Sequence, residues 1–273
     1  PAACGPHRLM LRPRDGHDMR ILDSRLAVSP PADVHWAYDT FGNSVARLTF
    51  RSPADELVIA SELLLRRYAL DEPLERIEPH AGRCPPRYAD DEAFDLSPVL
   101  AIDRPEDAEV VASWVAAILT EPAGRSVTVL DELCEGVNRA FAYRRREERG
   151  VQSPAETIGT GSGTCRDFAF LFMEAARSLG FAARFVTGYL YDPGAEGAMT
   201  GGGATHAWAD VFLPGAGWIE FDPTNRIVAS RNLVRVATTR TPAQALPVSG
   251  TFRLLEGGAC TGMEVEVAVM RAQ

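Results

Sequence analysis

The 273-residue chain contains no lysine, and all 28 of its basic residues are arginines. This absence removes three chemistries together: a Walker-type phosphate loop with its lysine, a lysine Schiff base and a lysine general base. Genome base composition also produces such an arginine bias, so the bias excludes more than it assigns. Positive charge is short as well. The formal net charge of −9 argues against a nucleic-acid or anionic-membrane partner, because both need a basic face. Cysteine is sparse and scattered: Cys4, Cys84, Cys134, Cys165 and Cys260 form no CxxC pair, and an odd count leaves a thiol free. A cytoplasmic, reducing setting is the simplest expectation. No run of ~18 apolar residues could span a bilayer, and the opening PAACGPHRLMLRPR lacks the apolar stretch of a signal peptide. His7, His17, His35 and His80 have no ligand spacing to a cysteine or second histidine, and no DxDxDG calcium loop occurs. Neither a metal nor a cofactor is therefore expected.

What is present is ordinary globular material, 46% hydrophobic and 24% charged. Residues 1–95 read as a β-rich domain, with short apolar or alternating runs at 26–28, 45–50 and 57–65 separated by proline and glycine turns. Residues 71–98, rich in Pro, Asp and Glu, read as a linker, which sets a boundary near 95 and leaves 96–273 as the second domain. There, Asp103, Pro105 and Glu106 announce a helix that stops before Pro122 and Gly124. A second helix is predicted over 128–143, and the run Arg144, Arg145, Arg146, Glu147, Glu148, Arg149 reads as its solvated end. Ser153, Pro154 and Glu156 repeat the capping pattern. Phe168, Leu171, Phe172, Ala175, Ala176 and Leu179 then recur at helical spacing up to Gly180. Strands are predicted at 182–191, 205–213 and 218–224, with TFRLL and the cleanly alternating MEVEVAVM in the tail.

The segment GTGSGTCRDFAF joins the glycines to the last helix. It fails as a nucleotide loop, because GxGxG is not GxGxxG, no strand precedes it and lysine is absent. A buried structural cysteine is one reading of Cys165. The other is a reactive thiol: the positive end of the helix favours a thiolate, and a preceding glycine, Gly163, gives a substrate backbone room to approach.

A thiolate of this kind needs a base. His206 opens a predicted strand and Asp222 ends the next, with a turn at 214–217 between them. For the two side chains to share a face, cross-strand partners must have residue numbers of even sum, which requires an odd-length loop or a bulge. Asp222 would then lie diagonal to His206, about 7–8 Å away at the β-carbons. Asp210 shares the face by parity but lies ~13 Å along the strand. Trp208, on the same face, could wall the cleft or join the core.

With GSGTCRDFAFLF, ARFVTGYLY and THAWADVFLPGAGWIEFDPTN in view, the sequence resembles the bacterial transglutaminase-like cysteine peptidases. YDTFGNSV with RLTFRSPADELVIAS resembles the β-rich N-terminal region of that group, and PVSGTF with MEVEVAVMR its terminal strands. The resemblance implies an α+β, papain-like transglutaminase core behind a β-rich domain. It implies Cys165 as nucleophile, His206 as general base and acid, Asp222 as orienting acid, and the Cys165 backbone N–H as one oxyanion donor. Gly163, Trp208 and Arg166 are expected at the substrate; Arg166 stands where many relatives have glutamine. The implied reaction is amide-bond hydrolysis of a peptide or protein through a thioester. The alternatives are protein-glutamine acyl transfer or a non-catalytic binding protein on the same fold.

Overall fold

Alternating apolar and polar residues before position 68 fold as strands β1 (Ala2–Leu9), β2 (Met19–Ser29), β3 (Ala32–Tyr38), β4 (Ser44–Phe50) and β5 (Val58–Arg67). The computed structural model describes residues 2–68, 72–146, 150–192, 200, 204–255 and 259–272. Helices α1 (Asp90–Leu100), α2 (Ala108–Ile118) and α3 (Ser126–Ala140) follow. Next come β6 (Ala142–Tyr143), α4 (Pro154–Thr160), β7 (Ser162–Gly163) and α5 (Cys165–Ser178). The chain continues through β8 (Ala183–Leu190), β9 (His206–Leu213), β10 (Gly217–Asp222), β11 (Ile227–Val228), β12 (Leu233–Thr239) and β13 (Val248–Leu254). Among the described residues no helix is long and apolar enough to cross a membrane.

Two antiparallel sheets organise these elements. The N-terminal one has the order β13-β1-β4-β3, so the penultimate part of the chain returns to pair with its beginning. The β2–β5 ribbon packs Leu26, Val28 and Ile59 against its small core of Leu9, Ala46 and Leu48. The second sheet has the order β11-β10-β9-β8-β12. The expected boundary near residue 95 falls inside α1, in the stretch read from sequence as a linker. The expected helix over 128–143 stops at Ala140, because Ala142 and Tyr143 pair in parallel with Ser162 and Gly163. MEVEVAVM forms no strand, which corrects the reading from its alternation.

Helix α5 is the centre of the core. From Cys165 to Arg177 every residue but Arg166 is buried, as expected for a helix enclosed on all sides. It packs against α2, α3, α4, β8 and β9, and Phe172 stacks on Phe221 of β10 with ring centroids 5.4 Å apart. Its depth requires polar compensation. Glu174 Oε1 accepts from Arg177 at 3.0 Å, Glu174 Oε2 accepts from the Asp103 and Arg104 N–H groups, and Arg177 also donates to the Ala183 and Arg240 carbonyls. These bonds fix the helix axially against the loop before α2 and the start of β8, and so fix where Cys165 emerges.

The two halves are tied by buried charge. Arg67, at the end of β5, holds Asp18 at 2.6 Å and approaches Glu220 of β10 at 3.5 Å, and Arg235 of β12 contacts the same two carboxylates at 3.1 and 3.4 Å. Burial and then the neighbouring Asp210 push the Glu220 carboxyl up to about 8, against the two arginines.

Candidate active site

Cys165 is the first residue of α5, and its position is set by the turn that begins the helix. Thr164 is the N-cap, and the Asp167 carboxylate reaches back to it, accepting from the Thr164 N–H at 2.8 Å and hydroxyl at 2.9 Å. The Gln152 N–H donates to the other Asp167 oxygen at 2.7 Å, and Arg146 spans both oxygens at 3.1 Å each. A fully buried carboxylate with this many donors holds the helix head rigidly. Cys165 itself is 5% exposed.

His206 opens β9 opposite Gly188 of β8, and its Nε2–H donates to Asp222 Oδ2 at 2.8 Å with both side chains fully buried. Parity explains the meeting. Strand β9 ends at Leu213 and β10 begins at Gly217, a three-residue loop in which Gly217 pairs with Leu213 and Phe221 with Ala209. The partner sums are even, so Asp222 lies diagonal to His206 on one face. Asp222 is held in turn by the Thr224 N–H on Oδ1 at 2.9 Å and by the Asn225 side-chain amide on Oδ2 at 3.0 Å. Burial lowers the proton affinity of His206, but the Asp222 charge and hydrogen bond outweigh it, and the Cys165 sulfur adds to the rise. The imidazole is pushed up to about 10. His206 Nδ1 is buried and makes no regular hydrogen bond among the described residues, so the sulfur acts on the ring from close by without an aligned bond. Burial pushes the Cys84 and Cys134 thiols up, which leaves them inert core residues. Asp210, the rival acid, is bound to Arg184 at 2.9 and 3.1 Å instead.

The chain matches the family model of the transglutaminase-like superfamily over residues 113–223 and that of the bacterial transglutaminase-like N-terminal region over residues 1–66. It is 30% identical to the uncharacterized protein Rv2569c of Mycobacterium tuberculosis across 89% of this chain and 80% of that protein. The chain belongs to the transglutaminase-like superfamily. A second relative is the uncharacterized protein ML0607 of Mycobacterium leprae, 25% identical across 99% of this chain and 94% of its own. The crystal structure of a candidate cysteine protease from Cytophaga hutchinsonii superposes with a TM-score of 0.70 at 21% identity, covering 92% of this chain and 83% of that one. The superposition establishes the shared mixed α+β fold.

On this transglutaminase-like core the other expected site residues take different places. Trp208 has no accessible surface. It packs with Val186, Leu190 and Leu233 beside His206, with ring centroids 6.1 Å apart, so it backs the imidazole rather than walling a cleft. Gly188 makes that packing possible, since a β-carbon there would overlap Trp208 and the Val234 carbonyl. Arg166 donates to the Pro242 and Ala245 carbonyls at 2.8 and 3.3 Å, with its guanidinium over Phe185. Gly163 is buried, and a β-carbon there would meet Asp167 at 2.9 Å, so its smallness serves the helix cap rather than a substrate backbone.

Four residues at the site escaped the sequence reading. Asp167 was visible as the last residue of the T-x-x-D capping pattern that starts at Thr164. Arg146 was hidden in a charge run, where position alone cannot show that one arginine folds back. The run is no helix end: α3 stops at Ala140, residues 144–146 belong to no helix or strand, and residues 147–149 lie outside the described residues. Asn225 and Thr224 follow Asp222 directly. Asn225 also exchanges hydrogen bonds with the Thr200 backbone at 2.8 and 3.1 Å, which ties the surroundings of Asp222 to the β8–β9 connection. Most of that connection lies outside the described residues.

Proposed function

We propose that the protein is a thiol-dependent amide-bond hydrolase acting on peptides or proteins, with Cys165 as nucleophile, His206 as proton carrier and Asp222 as orienting acid. The observation that carries this reading is the buried 2.8 Å His206–Asp222 hydrogen bond beside a thiol at a helix head. With Nε2 committed to Asp222, Nδ1 is the atom left to serve the sulfur.

The ring holds its proton to about pH 10, and an imidazolium beside the sulfur favours the thiolate form that attacks. The sulfur attacks the amide carbon, a C–S bond forms, and the carbonyl electron pair moves onto oxygen beside the Cys165 backbone N–H. As the adduct collapses, the C–N bond breaks, His206 gives its Nδ1 proton to the departing amine, and a thioester remains. The neutral ring then takes a proton from water while the water oxygen attacks the thioester carbon. The C–S bond breaks, the acid product leaves, and the starting state is restored. The five free cysteines suit a reducing compartment such as the cytoplasm.

Incubating wild type and Cys165→Ala with a peptide library and primary amines, read by mass spectrometry, tests the reading. Cleaved peptides from wild type alone are expected. Amine incorporation in place of cleavage would make the protein an acyltransferase. Silence, together with no preferential labelling of Cys165 over the other four thiols by a cysteine-directed probe at neutral pH, would remove the enzyme reading.

A further inference from the structure

Besides His206 and the Thr224 N–H, Asp222 has a third polar neighbour, and that neighbour is held in place from two sides. We infer that Asn225 is a positioning residue of the site: it presents a fixed N–H to the carboxylate oxygen that also binds His206, and the backbone of Thr200 holds it in that orientation. The inference rests on the Cys165, His206 and Asp222 roles proposed above and adds a residue to them.

Asn225 lies in the turn between β10 and β11, where Asp222 pairs with Ile227. The turn is anchored to α3 on both sides of Asn225. Asn138 donates to the Thr224 carbonyl at 2.7 Å, and Arg226 bonds Glu135 at 3.0 Å. Arg226 has a left-handed backbone with φ 55°, unfavourable for any residue but glycine, so the surrounding bonds must hold the turn in this shape.

The side chain of Asn225 is fixed as well. Nδ2 donates to Asp222 Oδ2 at 3.0 Å and to the Thr200 carbonyl at 3.1 Å, while Oδ1 accepts from the Thr200 N–H at 2.8 Å. A primary amide has two donor hydrogens and one acceptor oxygen, and each finds a partner here. The reverse orientation is excluded. It would set the amide oxygen against a carboxylate that only accepts, and the NH₂ against a backbone N–H that only donates. Thr200, in the connection that leads into His206, thus decides which end of Asn225 meets the acid.

The consequence is felt at the imidazole. Oδ2 is the oxygen to which the His206 Nε2–H donates at 2.8 Å, and the Thr224 N–H occupies Oδ1. Serving all three donors at once gives the carboxylate a single orientation, with Oδ2 towards His206. The α3 side contributes Cys134, whose thiol is pushed up by burial and then by the Asp222 charge, while Arg226 is taken up by Glu135. Among the described residues, therefore, Asn225 is the one side-chain amide that donates to Asp222. It is partly exposed, unlike His206 and Asp222, so a substitution there leaves the core closed.

The test compares wild type with Asn225→Asp and Asn225→Ala. Asn225→Asp keeps the shape and the acceptor for the Thr200 N–H, but its carboxyl donates to Asp222 only while it holds a proton, and two carboxylates this close resist ionising together. On a cleaved peptide, Asn225→Asp should therefore keep kcat on the acid side and lose it as pH rises. Asn225→Ala should lose kcat at every pH, by up to ~10²-fold, with KM little changed. A second readout needs no turnover: the proton NMR resonance of the His206 Nε2–H should follow the titration of the introduced carboxyl in Asn225→Asp and be displaced in Asn225→Ala. If Asn225→Ala does not fold, Asn225→Asp decides alone. A wild-type pH profile and an unmoved resonance in Asn225→Asp overturn the inference, because shape would then suffice. A raised KM with kcat and resonance unchanged overturns it too, and makes Asn225 a substrate contact. If wild type cleaves nothing while the resonance responds as stated, the positioning role stands and the hydrolase reading falls.

Discussion

Asp222 and Asp210 stand on the same face of one β-hairpin, and both are fully buried, yet their surroundings diverge. Asp222 accepts from an imidazole, a backbone N–H and a side-chain amide, so a single titratable cation stands against it. Asp210 lies directly across from Glu220 and is answered by Arg184, while Arg67 and Arg235 draw Glu220 and Asp18 into the same cluster. Burial alone does not mark a carboxylate as functional. At the first end of the hairpin the partner can gain and lose a proton, so the pair can do chemistry; at the second the partners are permanently charged, so the cluster joins two parts of the molecule. The role is decided by what the carboxylate faces.

The comparison breaks most directly at the two aspartates themselves. Asp222→Asn should lower kcat/KM by about 10²–10⁴-fold and bring the basic limb of its pH profile down from near 10, where His206 now loses its proton. Asp210→Asn should leave that limb in place. Equal shifts from both would show that the hairpin face acts as one electrostatic unit.

Next in size is the arginine that joins the halves. Arg67→Ala strands Asp18 and Glu220 beside fewer cations, and breaking a buried pair in this way costs about 3–5 kcal/mol, read from urea unfolding. Arg51→Ala removes the exposed bridge to Asp33 and should cost below about 1 kcal/mol. Similar losses would mean that the joint is solvated.

The smallest effect concerns Glu220. Its folded carboxyl holds a proton up to about 8, against an ordinary value of 4.5, so the folded state binds more protons between those values and stability must fall as pH rises through that window. Glu220→Gln removes this slope. Melting temperatures of wild type and variant should therefore differ least near pH 5 and most in the variant's favour above pH 8. A parallel pair of curves would put Glu220 among ordinary surface carboxylates.

Much of the site was legible because its rules are local. A capped, helix-periodic run puts Cys165 at a helix head, and strand parity states the condition under which His206 and Asp222 share a face. The three-residue loop between Leu213 and Gly217 meets that condition. Other features depend on what the chain folds against. MEVEVAVM alternates like a strand, but alternation says which face is apolar and not which edge receives it, and it pairs with no strand among the described residues. Gly163 could have made room for a substrate or for a neighbour, and only the packed Asp167 distinguishes them. Strand β3 passed unread because its ADVHWAY mixes charged and aromatic residues on an incompletely covered sheet, where the burial pattern that marks a strand is weak.

By itself, then, the sequence determined the order of helices α2 to α5 and strands β8 to β10, the thiol at the helix head and the condition under which imidazole and carboxylate meet, because these follow from capping, periodicity and the two-residue repeat of a strand. Tertiary structure alone decided which arginine clamps the helix cap, why Trp208 lies beneath the imidazole, where Arg166 points and how Asp18 and Arg67 come to meet Glu220. Those contacts join residues far apart in the chain, and their energies depend on burial and on neighbours that no local pattern contains.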